Sequence, residues 1–265
     1  MVLLKFIYRK DTKTDKMFYS LNRLILYCYD MGYTRTIYLG SHLIAFFLQL
    51  LFLILYRKRY GFTAKRAALV YLVTNSFVFL SIYVITWIEL GFKGWGATHF
   101  IRIVMWMPLL MLPFAKLFKI EPGRFFDFFA PSYAVSFPLG HIGCAFAGCC
   151  YGFPCDWGIY NPVFHKLLFP VQFVECIFSL LIWLYLLYYA RRHNYESKGK
   201  VLALFILLTG LGRVITEFLR DSERLFLDIS DRAVWAFLAF VSGLFMFFLI
   251  SRREKNLKAK ETDYE

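Results

Sequence analysis

The chain is short of charge. Asp, Glu, Lys and Arg make up 18% of its 265 residues, and acidic side chains are the scarcer kind, 18 against 31 basic. A soluble domain carries about 25% charged and about 45–50% apolar residues. Here 59% of residues are hydrophobic, 21% are aromatic, and the mean hydropathy is +0.53. So little charge cannot form the polar shell that a water-soluble core of this size needs. That argues against a cytosolic enzyme, a disordered chain and a secreted disulfide scaffold. Internal repeats, low-complexity tracts and a separate soluble domain are also missing. The net charge of +13 does not point to nucleic acid, because the basic residues sit in loops and tails rather than in a stripe. In a membrane protein such residues orient the chain and meet anionic head groups.

What is present in abundance is long apolar runs. A helix needs about 17–25 such residues to cross a hydrocarbon core. Seven stretches qualify: Ile37–Tyr56, Ala67–Leu90, Ile101–Phe118, Phe125–Cys149, Leu168–Ala190, Val201–Phe218 and Ala233–Ile250. The reading is an all-α, polytopic membrane protein with seven transmembrane helices. The fourth stretch holds Pro131, Pro138, Gly140, Gly143 and Gly148. It is expected to be a broken helix, tolerated only where protein or a water-filled cavity satisfies its backbone.

Lys and Arg then set the orientation. Loops 57–66, 116–124 and 191–200 with the tail 252–265 carry seventeen of them, against four in loops 91–100, 151–167 and 219–231. This places the C-terminus in the cytoplasm and the N-terminus outside. Segment 1–36 holds seven basic residues and conflicts with that rule. Residues 17–33 read as an amphipathic helix on the outer surface. The expected organisation is an interfacial segment 1–36, a transmembrane domain 37–250 and a basic tail 251–265.

Two constellations carry chemistry. The first is Arg213, Glu217 and Arg220, which share one helical face by spacing. Charges at membrane depth are costly unless paired, and are functional candidates by default. The planar fork of an arginine suits a phosphate. The second runs from Gly140 to Cys155 and holds His141 with Cys144, Cys149, Cys150 and Cys155. Its C-x4-C-C-x4-C pattern is not a zinc spacing. A disulfide in an oxidising compartment and close packing of small residues both remain open. His99, just before the third stretch, and Asp127, at the start of the fourth, are weaker candidates. Helix capping is the plain alternative for Asp127.

Four blocks together resemble the prolipoprotein diacylglyceryl transferase family over roughly residues 35–250. Asp127-Phe128-Phe129-Ala130-Pro131 is similar to the family's D-F-x-A-P. Gly140-His141-Ile142-Gly143-Cys144-Ala145-Phe146-Ala147-Gly148-Cys149-Cys150-Tyr151-Gly152 is similar to its G-R-x-G-N-F-x-N-x-E-x-x-G. Phe169-Pro170-Val171-Gln172-Phe173-Val174-Glu175 is similar to H-P-x-Q-x-x-E. Thr209 to Arg220 is similar to Y-G-x-x-R-x-x-x-E-x-x-R. The departures are His141 for the signature Arg, Cys144 and Ala147 for the two Asn, and Cys149 for the Glu. The family's H-G-G is reduced to His99 followed by Phe100 and Ile101.

The resemblance implies an enzyme of the bacterial cytoplasmic (inner) membrane. It would move the diacylglyceryl group of phosphatidylglycerol to the thiol of a lipoprotein precursor's signal-peptide cysteine, without metal or organic cofactor. Arg213, then Arg220, would stabilise the leaving phosphate. His99 or His141 would be the base, and Glu217 would orient Arg213. The resemblance adds Tyr38, Gly140, Gly143, Cys144, Gly148, Cys149, Gly152 and Gln172 as substrate-binding positions. A same-fold transferase with another acceptor, and a non-catalytic lipid-binding protein, are the alternatives.

Overall fold

The computed structural model describes residues 19–89, 100–221 and 230–262. His99, expected as a base, lies outside the described residues. Eight α-helices follow in order among those described. They are α1 (Tyr19–Asp30), α2 (Thr34–Tyr56), α3 (Ala64–Glu89), α4 (Phe100–Leu117), α5 (Pro122–Ala147), α6 (Val171–Arg192), α7 (Lys200–Glu217) and α8 (Asp231–Thr262). A two-stranded antiparallel hairpin, β1 (Pro154–Asn161) with β2 (Lys166–Leu168), joins α5 to α6. The chain is mostly helical, in line with the all-α reading, and this small hairpin is the strand content among the described residues.

The protein is a mostly helical membrane protein. Segments Thr34–Tyr60, Val171–Arg192 and Asp231–Leu257 are long and apolar enough to cross a bilayer. The remaining expected spans also fold as single helices of 18 to 26 residues. Large apolar side chains of α2 (Leu39, Leu43, Phe47) and α8 (Phe237, Phe245, Phe248) lie exposed on the outer faces. Water would penalise that surface, whereas hydrocarbon accepts it. The interior is aromatic, with Phe125, Phe128, Phe129, Tyr71 and Phe205 fully buried. Helices α7 and α8 touch backbone to backbone. A Cβ at Gly210 would strike the Phe240 main chain, and one at Gly243 would strike that of Leu207, so only glycine permits this approach.

The fourth stretch is not broken. Helix α5 runs unbroken from Pro122 to Ala147. Pro131 removes the N–H that would bond the Asp127 carbonyl, and the hydroxyl of Tyr60 donates to that carbonyl instead, at 3.1 Å. The freed group is satisfied from a neighbouring element, so the helix need not open. The expected helix within 17–33 forms as α1. It buries Asn22, Ile25, Leu26 and Cys28, and Asn22 holds β1 by accepting from Tyr160 N at 2.8 Å.

Candidate active site

The site is built where α5, α6 and α7 end or begin, beside the hairpin. Helix α5 stops at Gly148, which takes a left-handed conformation (φ 73°) and returns its N–H to Cys144 O. The loop that follows is pinned residue by residue. Asn161 Nδ2 donates to Gly148 O at 2.9 Å, and Gln172 Nε2 donates to Cys149 O at 2.8 Å. Gly152 N donates to Phe169 O at 3.1 Å, and Gly152 pairs with Arg220 as an isolated antiparallel bridge. A Cβ at Gly152 would press on the carbonyls of both Leu219 and Phe169, so this close approach requires glycine. The loop therefore sets the main chain of Arg220, which lies just past the end of α7.

The ionic centre is Glu175, one turn into α6 and buried. Its Oε1 receives Arg213 Nη1 and, at 2.9 Å, Thr216 Oγ1. Its Oε2 receives Arg220 Nη2 at 2.6 Å and stands 3.2 Å from His141 Nδ1. A second carboxylate, Glu217, stands between the two guanidinium groups, 3.9 Å from Arg213 Nε and 3.8 Å from Arg220 Nε. Ser230 Oγ donates to its other oxygen at 2.7 Å. Both Nε groups are buried without a hydrogen bond of normal length. The side chain of Arg220 is 1% exposed and that of Glu175 7%. A buried charge this enclosed persists only when paired, and Glu175 supplies the pairing.

The structure thus brings together His141, Arg213, Glu217 and Arg220. Arg213 meets two carboxylates there: Glu217, expected to orient it, at 3.9 Å from Nε, and the nearer Glu175 at Nη1. Glu175 was missed as a site residue although the Gln-x-x-Glu block contains it. The available signal was arithmetic: two intramembrane arginines with one expected carboxylate partner leave one positive charge uncompensated. Gln172 and Gly152 shape the loop. Tyr38 stands at the start of α2, its ring 4.4 Å from that of His42. Gly143 packs against Ser41 and the Tyr38 carbonyl, and Gly140 faces His42.

Of the two readings left open for the cysteines, the structure shows no disulfide, and all six are free thiols. Cys144, Cys149 and Cys150 nevertheless converge, with their sulfurs within 4.8 Å of one another. Cys150 also interacts with the guanidinium of Arg220, which joins the thiols to the ionic centre. Hydrogen bonding with Cys144 and Cys149, with the Arg220 and Arg213 charges behind it, holds the Cys150 thiol well below its ordinary pKa. Cys155 is apart on β1, where burial raises its pKa. Asp127 is elsewhere, at the opposite end of α5. It accepts from Gly199 N and Val201 N at 2.9 Å and from Leu202 N at 3.3 Å, capping α7.

The sequence model of the prolipoprotein diacylglyceryl transferases matches residues 49–249. The chain belongs to this family. It is 39% identical over 108 residues to the phosphatidylglycerol–prolipoprotein diacylglyceryl transferase of Clostridium tetani, covering 38% of this chain and 43% of that protein. It is 33% identical over 105 residues to a second such transferase of Clostridium perfringens, covering 37% and 40%. A Leptospira interrogans relative of the same name is 31% identical over 127 residues, covering 44% and 40%. The aligned stretches span about two-fifths of the length of these curated relatives.

Proposed function

We propose that this chain transfers the diacylglyceryl group of phosphatidylglycerol to a cysteine thiol of a lipoprotein precursor at the outer leaflet. The carrying observation is the convergence of Arg213, Arg220 and His141 on the buried Glu175. Each arginine gives one Nη to Glu175, and the Nε groups remain for phosphate oxygens. The acceptor thiol attacks the glycerol carbon. The C–S bond forms, the C–O bond breaks, and glycerol phosphate leaves with the electron pair. Preorganised cationic donors stabilise the charge that develops on the leaving phosphate. His141 stands with Nδ1 3.2 Å from Glu175 Oε2, and its imidazole is the base we assign to the thiol proton; His99 is the alternative base. Turnover of radiolabelled phosphatidylglycerol with and without a lipobox peptide tests this reading. Peptide-dependent release of glycerol phosphate is expected. Lipid binding without turnover would sink it.

The same reading places all seven long helices across the bacterial inner membrane, with the hairpin outside and the α8 tail in the cytoplasm. The basic count supports that orientation. A membrane-impermeant thiol reagent applied to intact cells should label a cysteine placed at Val163, which is exposed, and spare one placed at Ser251. The reverse pattern would invert the topology. The replacement of the signature residues by His141, Cys144, Ala147 and Cys149 favours a second reading, in which the acceptor is another thiol. Turnover that ignores the lipobox peptide but rises with a small thiol would select it.

A further inference from the structure

The three converging thiols are the feature that the phospholipid chemistry leaves unused. Cys144 comes from the last turn of α5, and Cys149 and Cys150 from the loop behind its left-handed cap. Four residues separate Cys144 from the adjacent pair Cys149 and Cys150, so the chain pattern conceals the cluster. In space the sulfurs lie within 4.8 Å of one another. Tetrahedral thiolates at a zinc–sulfur distance of about 2.3 Å stand about 3.8 Å apart, so closing on an ion needs a shift of about 1 Å or less. The loop is pre-set for such a site. Cys149 is fixed through its carbonyl by Gln172, and Cys150 is held at φ 59°, in the left-handed region that a side-chain-bearing residue rarely adopts. Thiolate donors select soft, thiophilic cations.

A neighbouring histidine fits the same picture. His141 holds its Nδ1 3.2 Å from Glu175 Oε2. A carboxylate on one ring nitrogen fixes the other for work at a metal-bound group. Among the described residues three protein sulfurs converge. A catalytic zinc has three protein ligands and an exchangeable fourth position, whereas a structural zinc is closed by four.

We propose that Cys144, Cys149 and Cys150 bind one thiophilic divalent cation, zinc by its donor set, and leave its fourth position to the acceptor thiol. The use of that fourth position rests on the transferase reading above, whereas the ion site itself does not. A thiol entering the fourth position loses its proton on coordination, and His141 Nε2 takes that proton. The bound thiolate then attacks the glycerol carbon, and the carbon–oxygen bond to the phosphate breaks. No oxidant or reductant is required.

Cobalt(II) is the probe. The full chain, reduced, in detergent and stripped by a chelator, should bind one equivalent and show a thiolate-to-cobalt charge-transfer band that zinc abolishes. Cys150→Ser and Cys149→Ser, checked for helicity, should each weaken binding by about 100-fold or more, and Cys155→Ser should bind as the parent does. No band in the parent, or a band unchanged in Cys150→Ser, overturns the ion site. A lipobox peptide should shift the band and its cysteine-to-serine version should not; no shift overturns the open fourth position. Full phosphatidylglycerol turnover by the chelated protein removes the ion from the reaction and leaves the transferase reading standing. A peptide-shifted band without turnover keeps the site and removes that reading.

Discussion

Two carboxylates are buried at opposite ends of the helical bundle, and their partners differ in kind. Asp127 on α5 is 1% exposed and accepts three backbone N–H groups at the start of α7. Glu175 on α6 is 6% exposed and is held by Arg213, Arg220, Thr216 and an adjacent His141. Backbone amides at a helix start cannot leave, so Asp127 ties α5 to α7 permanently. Side-chain forks have five donors each and can be shared with a ligand. A buried acid saturated by main chain is architecture. A buried acid saturated by arginines is a template for an anion.

The largest effect should come from removing the charge at the second acid. Glu175→Gln leaves two buried guanidinium groups sharing Glu217 alone. Breaking a buried pair costs about 3–5 kcal/mol, so both thermal stability and turnover should fall, the latter by about 100-fold or more. Arg213→Ala should leave a folded protein with little turnover. Near-normal phospholipid turnover in well-folded Arg213→Ala would take Arg213 out of the site and make Glu175 as purely architectural as Asp127.

Arg213→Lys comes next. The lysine keeps the charge but loses the planar fork, and one ammonium cannot meet both Glu175 and a phosphate with the same geometry. Turnover should drop by about tenfold or more, with stability nearly kept. The matching test at the other end is Asp127→Asn. Its NH2 would face a backbone N–H that now has an acceptor, which should lower stability by roughly 1–3 kcal/mol and leave turnover per folded molecule close to the parent's. Loss of turnover at unchanged stability in Asp127→Asn would move that acid into the chemistry.

The contrast also explains what could be read without coordinates. The seven long helices follow the apolar runs to within a few residues at most ends, because a long apolar run is a strong and local signal for a buried or spanning helix. The 32-residue α8 overruns its apolar run at the basic tail. The chemistry of Arg213 and Arg220 was legible for the same reason: charge in an apolar run is conspicuous. Glu175 was hidden because its partners lie about 40 residues away, and only the packing of α6 on α7 joins them. The continuity of α5 was hidden because the donor that repairs Pro131 is Tyr60, 67 residues distant in sequence from the carbonyl it serves. The thiol cluster was hidden because a left-handed cap at Gly148 folds Cys149 and Cys150 back beside Cys144, a reversal that linear spacing does not encode.

Glu217 provides the finest test. It sits on the same face as both arginines, yet it approaches their Nε groups only to 3.8–3.9 Å, beyond the range of a good hydrogen bond. Its firm bond is with Ser230, at 2.7 Å. If Glu175 is the acid that orients Arg213, Glu217→Gln weakens a long-range attraction on the arginines and keeps an acceptor for Ser230. Turnover should then fall by about two- to fivefold, on the order of 0.5–1 kcal/mol, less than for Arg213→Lys and far less than for Glu175→Gln. A loss equal to that of Glu175→Gln, measured under the same phosphatidylglycerol assay, would show that the two acids act as one unit. The asymmetry between the firm and the distant carboxylate would then be a property of the unliganded site, erased when phosphate enters and draws both Nε groups toward itself.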